Sequence, residues 1–302
     1  MRSRRRLRWV TIPVASLVIL ALAGCTQAQL HGFLPGFQED QPAVTNHADL
    51  VSALWVNSWI VLLAVGVVTW VLIVAAAVIY RRRRGQTGLP VQLRYNMPIE
   101  VFYTVVPLIL VLGFFAFTAR DQATIEARDP NPDVTIEAYG KQWAWDFNYL
   151  DEDVYSTGIQ GQPSEDTVGS GAGVVQSQLP LLVLPVNKSI EIQLKARDVI
   201  HSFWVVDFLY KKDMIPGKTN FMTFTPTREG TYSGKCAELC GDYHSLMLFT
   251  VKVVSEQEYE DYIQGLKDAG FTGRLGDDYN RNLNEPGDGS SEVVGSDSSS
   301  TE

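Results

Sequence analysis

Cys236, Cys240, His244 and Met247 fall within twelve residues of one another in this 302-residue chain. Two thiols, an imidazole and a thioether make a soft ligand set. Thiolate and thioether select copper over magnesium or calcium, imidazole suits copper and zinc alike, and an axial Met is typical of copper electron-transfer sites. One further ligand is needed. His31 and His47 precede the first long apolar run, so His201 is the one other histidine in the second half of the chain. A single-copper site uses one thiolate, whereas two cysteines four apart on one loop can bridge two metals. The competing reading is a disulfide, which an oxidising compartment would favour. A ring closed over three intervening residues would constrain little and would leave His244 and Met247 without a role. The remaining cysteine, Cys25, lies far away, and three cysteines are too few for a disulfide framework or a four-Cys zinc site.

The elements that must position these ligands read as β-strands. Residues 134–138, 143–149, 181–186, 190–194, 200–206, 231–235 and 247–254 are short runs with alternating or β-branched character and turn residues between them, which predicts a β-sandwich or barrel. His201 would open one strand and Cys236 would follow another. Residues 158–178 are Gly, Ser, Gln and Pro without an apolar core, and are expected to form a flexible, solvent-facing insertion. Ser255 and Glu258 form a capping box ahead of Tyr259, Tyr262, Ile263 and Leu266 at helical spacing, with Gly270 beyond, which predicts a short C-terminal helix. From about residue 285 the chain is too polar to offset its ordering entropy, so the acidic tail is expected to be disordered.

The first half is of another kind. Residues 50–80 run 31 positions and residues 101–119 run 19 without a charge, against the ~20 a helix needs to cross a bilayer. Arg81, Arg82, Arg83, Arg84 and Arg94 lie between them, and this positive loop is expected on the cytoplasmic side, with both termini outside. Ahead of the spans, five arginines in residues 1–8, fifteen uncharged residues and Leu22-Ala23-Gly24-Cys25 read as a signal peptide over residues 1–24. That order resembles a bacterial lipobox, in which Cys25 becomes the lipidated first residue. The expected order is therefore signal peptide (1–24), exported segment (25–49), transmembrane hairpin (50–120, with spans at about 50–80 and 100–119), β-domain (121–270) and C-terminal extension (271–302). Residues 1–120 hold 11 Lys/Arg against 4 Asp/Glu, and residues 121–302 hold 14 against 30. Long apolar runs exclude a wholly soluble protein, and the acidic second half argues against a nucleic-acid partner. Glu100 either anchors the second span in the headgroup layer, where it also complements the helix dipole, or feeds a proton path, and charge and position alone favour the anchor.

These residues together resemble subunit II of the haem-copper cytochrome c oxidases. The family pattern Cys-x-Glu-x-Cys-x3-His-x2-Met is matched by Cys236, Glu238, Cys240, His244 and Met247, and its distant His-Ser-aromatic by His201-Ser202-Phe203. The resemblance implies an all-β cupredoxin-like Greek-key sandwich or barrel behind a two-helix transmembrane hairpin. It implies a binuclear copper centre, CuA, bridged by Cys236 and Cys240, with terminal imidazoles from His201 and His244 and weak ligands from the Met247 sulfur and the Glu238 carbonyl. The Glu238 carboxylate would reach a magnesium or manganese ion at the subunit I interface. Gly140-Lys141-Gln142-Trp143-Ala144-Trp145 resembles the family's aromatic stretch, in which the residue matching Trp143 admits the electron. Lys141 stands where His is usual and Ala144 where an aromatic is common. Glu100-x3-Thr104-x2-Pro107 resembles the start of the family's second span, which implies that Glu100 lies at the mouth of the proton route called the K pathway. A lipidated chain with a Gly-rich insertion is similar to actinobacterial oxidases that associate with a cytochrome bc complex.

The function this resemblance implies is that of a plasma-membrane subunit passing electrons from cytochrome c, or a cytochrome c domain of a bc complex, to haem in subunit I. Dioxygen reduction and proton pumping would belong to the whole complex, not to this chain alone. A quinol-oxidising relative would lack the copper ligands present here. The non-catalytic alternative is a membrane-anchored copper chaperone or storage cupredoxin, which would need neither Trp143 nor Glu100. The acidity of the second half would attract a basic donor, with Asp146, Asp151, Glu152 and Asp153, near the tryptophans in sequence, as docking candidates.

Overall fold

The computed structural model describes residues 29, 31–36, 41–83, 85–89, 92, 94–163, 174–175 and 179–276. The expected signal peptide, Cys25, most of the 158–178 insertion and the tail from 285 lie outside the described residues. The chain divides into two compact units, one ending at Ile125 and the other formed by Gln41–Ala48 and the chain from Glu126 on.

The first unit contains α1 (Ala48–Ile79) and α2 (Met97–Ile125), both long and apolar enough to cross a membrane. Their side chains are apolar on all faces and bare: Leu62, Leu72, Ile109 and Phe115 are each more than 60% exposed. A helix apolar all round needs an apolar solvent rather than a core face. At the start of α2 the Glu100 carboxylate accepts a hydrogen bond from the Asn96 backbone N–H at 2.8 Å, so it caps the helix. The helix runs on past residue 119 to Ile125, with Arg120 paired to Asp121 at 2.9 Å.

The second unit is a sandwich of two five-stranded sheets. The strands are β1 (Val134–Lys141), β2 (Ala144–Tyr149), β3 (Val154–Thr157), β4 (Leu181–Pro185), β5 (Ile190–Ala196), β6 (His201–Val205), β7 (Tyr210–Met214), β8 (Asn220–Phe224), β9 (Gly230–Cys236) and β10 (Leu248–Val254). One sheet has the order β3-β2-β1-β5-β8 and the other β4-β10-β9-β6-β7. Both are mixed, because β1 pairs with β5 and β4 with β10 in parallel. Trp145 and Phe147 from β2 pack on Phe203 of β6 and Phe249 of β10 with ring centroids 4.8–5.8 Å apart, so aromatic side chains of both inner faces build the core. The expected capping box is present at α3 (Glu256–Asp268), whose Tyr259 and Ile263 are buried.

Three strands had no clear sequence signal, and all three are sheet edges. β3, β7 and β8 end their sheets, and β7 reads Tyr-Lys-Lys-Asp-Met, the charged pattern that keeps an edge from pairing further. Two expected extensions belong to the domain itself. Residues 41–48 are fastened to its surface by Asn46 N–H to Thr225 O at 3.1 Å and Thr227 N–H to Val44 O at 2.8 Å. Residues 274–276 cross the outer face of the first sheet, where Arg274 forks onto Glu137 and Leu275 exchanges hydrogen bonds with Asn148.

Candidate metal centre

The centre forms where β6 and β9 meet. Their antiparallel register pairs Phe203 with Cys236, so His201, two residues earlier on the same face as Phe203, becomes a diagonal neighbour of Cys236. A strand face with period two thus joins ligands 35 residues apart in sequence. The chain leaves β9 at Cys236 and returns at β10, with the Cys236 N–H bonded to Met247 O at 3.0 Å and the Ala237 N–H to Ser202 O at 3.0 Å. Inside this loop the 3-10 turn His244–Leu246 swings the imidazole back toward Cys240, four residues before it. The described stem of the insertion is not wholly solvent-facing as expected: Gln160 is buried, and the Gly161 N–H bonds Leu246 O at 2.7 Å, bracing the loop beside Met247.

The donor atoms converge. Cys236 Sγ is 3.8 Å from Cys240 Sγ, 3.8 Å from His201 Nδ1 and 3.2 Å from the Glu238 carbonyl oxygen. Cys240 Sγ is 3.5 Å from His244 Nδ1 and 3.7 Å from Met247 Sδ. Cys236, Cys240, His201 and Met247 are all buried, whereas the Glu238 side chain is exposed although its carbonyl faces the sulfur. Both cysteines are free thiols, so the competing disulfide is not formed.

Electrostatics favour a thiolate here. The hydrogen bond from Cys240 is the largest influence on the Cys236 thiol and pulls it far below its ordinary value; burial opposes this, and His201 with two backbone groups adds to it. The same neighbour and burial push Cys240 the other way, since two adjacent thiolates repel. A bound cation would remove that repulsion, and soft, buried, converging sulfur and nitrogen donors fit copper.

Sequence reasoning missed the support around the ligands. Asp198 Oδ1 lies 2.7 Å from His201 Nε2, which leaves Nδ1 facing the sulfur. Burial disfavours the His201 imidazolium, but Asp198 and Cys236 outweigh it and raise the imidazole's pKa. The other Asp198 oxygen accepts the Gln142 N–H at 2.7 Å, tying the β1–β2 turn to the same carboxylate. Asp198 stands three residues before His201, a spacing with no meaning until the loop folds. Gly140 is required by space, because a Cβ there would meet His201 Cδ2 at 2.9 Å.

Trp143 occupies the β1–β2 turn, and its indole N–H donates to the Cys240 carbonyl at 3.2 Å. Lys141 beside it is fully buried and paired with Asp146 at 2.7 Å, and Asp146 also accepts from Thr157. Burial pushes the Lys141 pKa down while Asp146 opposes. This corrects the docking expectation. Asp146 has no exposed surface to offer, and Asp151, Glu152 and Asp153 follow the six-residue strand β2, at about 3.4 Å per residue, so they lie ~20 Å from Trp143 at the other end of the sheet.

The sandwich and its ligand set define a class: a membrane-anchored, cupredoxin-like domain whose two cysteines, two histidines and methionine suit a binuclear copper centre. Residues 134–254 match the family described as cytochrome c oxidase subunit II, periplasmic domain. A probable cytochrome c oxidase subunit 2 of Streptomyces avermitilis is 43% identical over 281 residues, covering 86% of each chain. The cytochrome c oxidase subunit 2 of Mycobacterium bovis is 32% identical over 81% of this chain and 78% of its own. Among solved structures, the periplasmic domain of subunit II from Bradyrhizobium japonicum is 34% identical, covers 47% of this chain and 99% of that one, and has a TM-score of 0.41. Another, 33% identical over 49% of this chain and 99% of that one with a TM-score of 0.39, is a mixed disulfide intermediate between a thioredoxin-like protein and subunit II. The chain belongs to the cytochrome c oxidase subunit II family. It is subunit II of a haem-copper oxidase, an oxidoreductase complex it forms with subunit I, and it carries a CuA-like site.

Proposed function

We propose that this subunit accepts electrons from cytochrome c, or from a cytochrome c domain of a bc complex, at Trp143 and delivers them toward haem in subunit I, where dioxygen is reduced to water with proton pumping. The observation that carries this reading is the direct hydrogen bond from the Trp143 indole to the carbonyl of Cys240, a ligand residue. His201, Cys236, Cys240 and His244, with Met247 and the Glu238 carbonyl, would hold two coppers. Copper would supply one-electron chemistry there, and ligands already held in place would keep rearrangement on transfer small. The protein's part is to keep the ligands in place: Asp198 orients His201, the 3-10 turn orients His244, and burial excludes water from the sulfurs. A disulfide between the cysteines would remove both donors, so reduction by a thioredoxin-like protein would precede copper loading.

The exposed Glu238 carboxylate is free to bind magnesium or manganese at the subunit I interface. Glu100 would receive protons at the cytoplasmic mouth of α2, exchanging its capping bond to Asn96 for contact with water. This requires both termini outside, as the arginine-rich loop favours. Lipidation of Cys25 after removal of residues 1–24 would anchor the mature amino terminus, and its mass reports it directly.

The test is the metal count and electron paramagnetic resonance spectrum of the copper-loaded full chain. Two coppers sharing one unpaired electron, lost in Cys240→Ser, support the reading; one localised copper defeats it.

A further inference from the structure

Among the described residues Trp143 makes one side-chain hydrogen bond, and one such contact does not fix a ring. The indole N–H shares the Cys240 carbonyl with the Gln142 side-chain amide, at 3.2 and 2.7 Å, an anchor that does not by itself set the plane of the ring. Two further features of the ligand loop close on it. Gly241, at φ +120°, leaves room for the ring, since a Cβ there would stand 3.1 Å from Trp143 Cζ2. Tyr243 then meets the indole edge to face, with centroids 4.9 Å apart and planes at 77°. The residue is still 45% exposed, so burial does not account for its position. The Tyr243 backbone is set by the turn that presents His244, with the Leu246 N–H bonded to Tyr243 O at 2.9 Å.

We infer that Tyr243 is a positioning residue for electron transfer: its ring fixes the plane of Trp143 against the Cys240 carbonyl and keeps the indole coupled to the metal loop. The inference rests on the reading of Trp143 as the residue that admits the electron. An edge-to-face pair biases the ring population by about two- to tenfold, which sets the size of the expected effect. Because the ring, not the hydroxyl, makes the contact, Phe replaces Tyr at this position and Ala does not.

Two measurements on the full chain test this. In the copper-free protein, solvent exchange of the Trp143 indole N–H, identified by its loss in Trp143→Phe, should quicken by about two- to tenfold in Tyr243→Ala and return to the parent rate in Tyr243→Phe. In the copper-loaded oxidase, reduction of the centre by reduced cytochrome c should slow by a similar factor in Tyr243→Ala alone, with copper count and resonance spectrum unchanged. Parent-like exchange in Tyr243→Ala, or equal slowing in the Phe and Ala variants, overturns the inference. If Trp143→Phe fails to slow reduction while exchange still responds to Tyr243→Ala, the positioning stands and the assignment of Trp143 as electron acceptor falls.

Discussion

Glu137 and the pair Cys236 and Cys240 are all buried in the same domain, and their surroundings are built in opposite ways. Glu137 faces Arg274, Lys195 and Asn148, at 2.5, 2.7 and 3.0 Å, so its carboxylate is satisfied by the protein alone. Burial would push the Glu137 carboxyl up, but these three partners outweigh it and hold it below the usual carboxylate range. The cysteines face one another, two imidazoles and a thioether, and among the described residues no Lys or Arg pairs with either sulfur. A buried polar cluster closed by its own side chains serves the fold, whereas converging sulfur and nitrogen donors suit a cation. Burial by itself distinguishes neither.

The contrast predicts separable losses. Cys236→Ser should abolish the two-copper spectrum altogether while leaving the denaturation midpoint of the metal-free chain nearly unchanged; a large loss of metal-free stability would mean that the thiols hold the fold. Glu137→Gln should do the reverse and cost about 3 kcal/mol, at the low end for a broken buried pair because Arg274 is half-exposed, with two coppers still bound. Denaturant unfolding and metal analysis of the same sample read both numbers.

Asp198→Asn should fall between these extremes. Losing the charged partner of His201 Nε2 should weaken copper binding by about ten- to hundredfold without loss of metal-free stability on the scale of Glu137→Gln. Competition with a chelator of known affinity measures it, and an unchanged affinity would make Asp198 a brace for the Gln142 N–H only. The smallest effect is a pH dependence. Glu137 has a depressed folded pKa, so its stabilisation is present above its unfolded value of about 4.3 and is lost as pH falls through the folded value. The stability gap between the parent and Glu137→Gln should therefore hold near neutrality and shrink below about pH 4.3. A gap that grows on acidification would reverse the sign assigned to this carboxylate.

Different parts of the molecule were legible to different degrees. Seven strands and α3 were readable because inward and outward residues alternate along them and Ser255 with Glu258 caps the helix. The edge strands β3, β7 and β8 were not, since an edge carries less apolar pattern, and β7 places Lys211, Lys212 and Asp213 at its centre. The soft donors could be read from residue type and spacing, whereas Trp143 stood out only through its resemblance to the family's aromatic stretch. Asp198, Gly241 and Tyr243 could not, because the role of each depends on the group the fold places opposite it. Asp146 misled for the same reason: an acidic residue near a tryptophan in sequence reads as surface, and Lys141 and Thr157 put it inside.

The sequence by itself determined which donors are available, that they are soft, and that two long segments are too apolar for water. Those are properties of side-chain chemistry and composition, and they hold in any conformation. Only the tertiary structure decided which carboxylates are buried, which nitrogen of His201 faces sulfur, and that Tyr243 meets Trp143. Each of these depends on strand register and on loop backbone angles, where a shift of one residue turns a side chain to the opposite face.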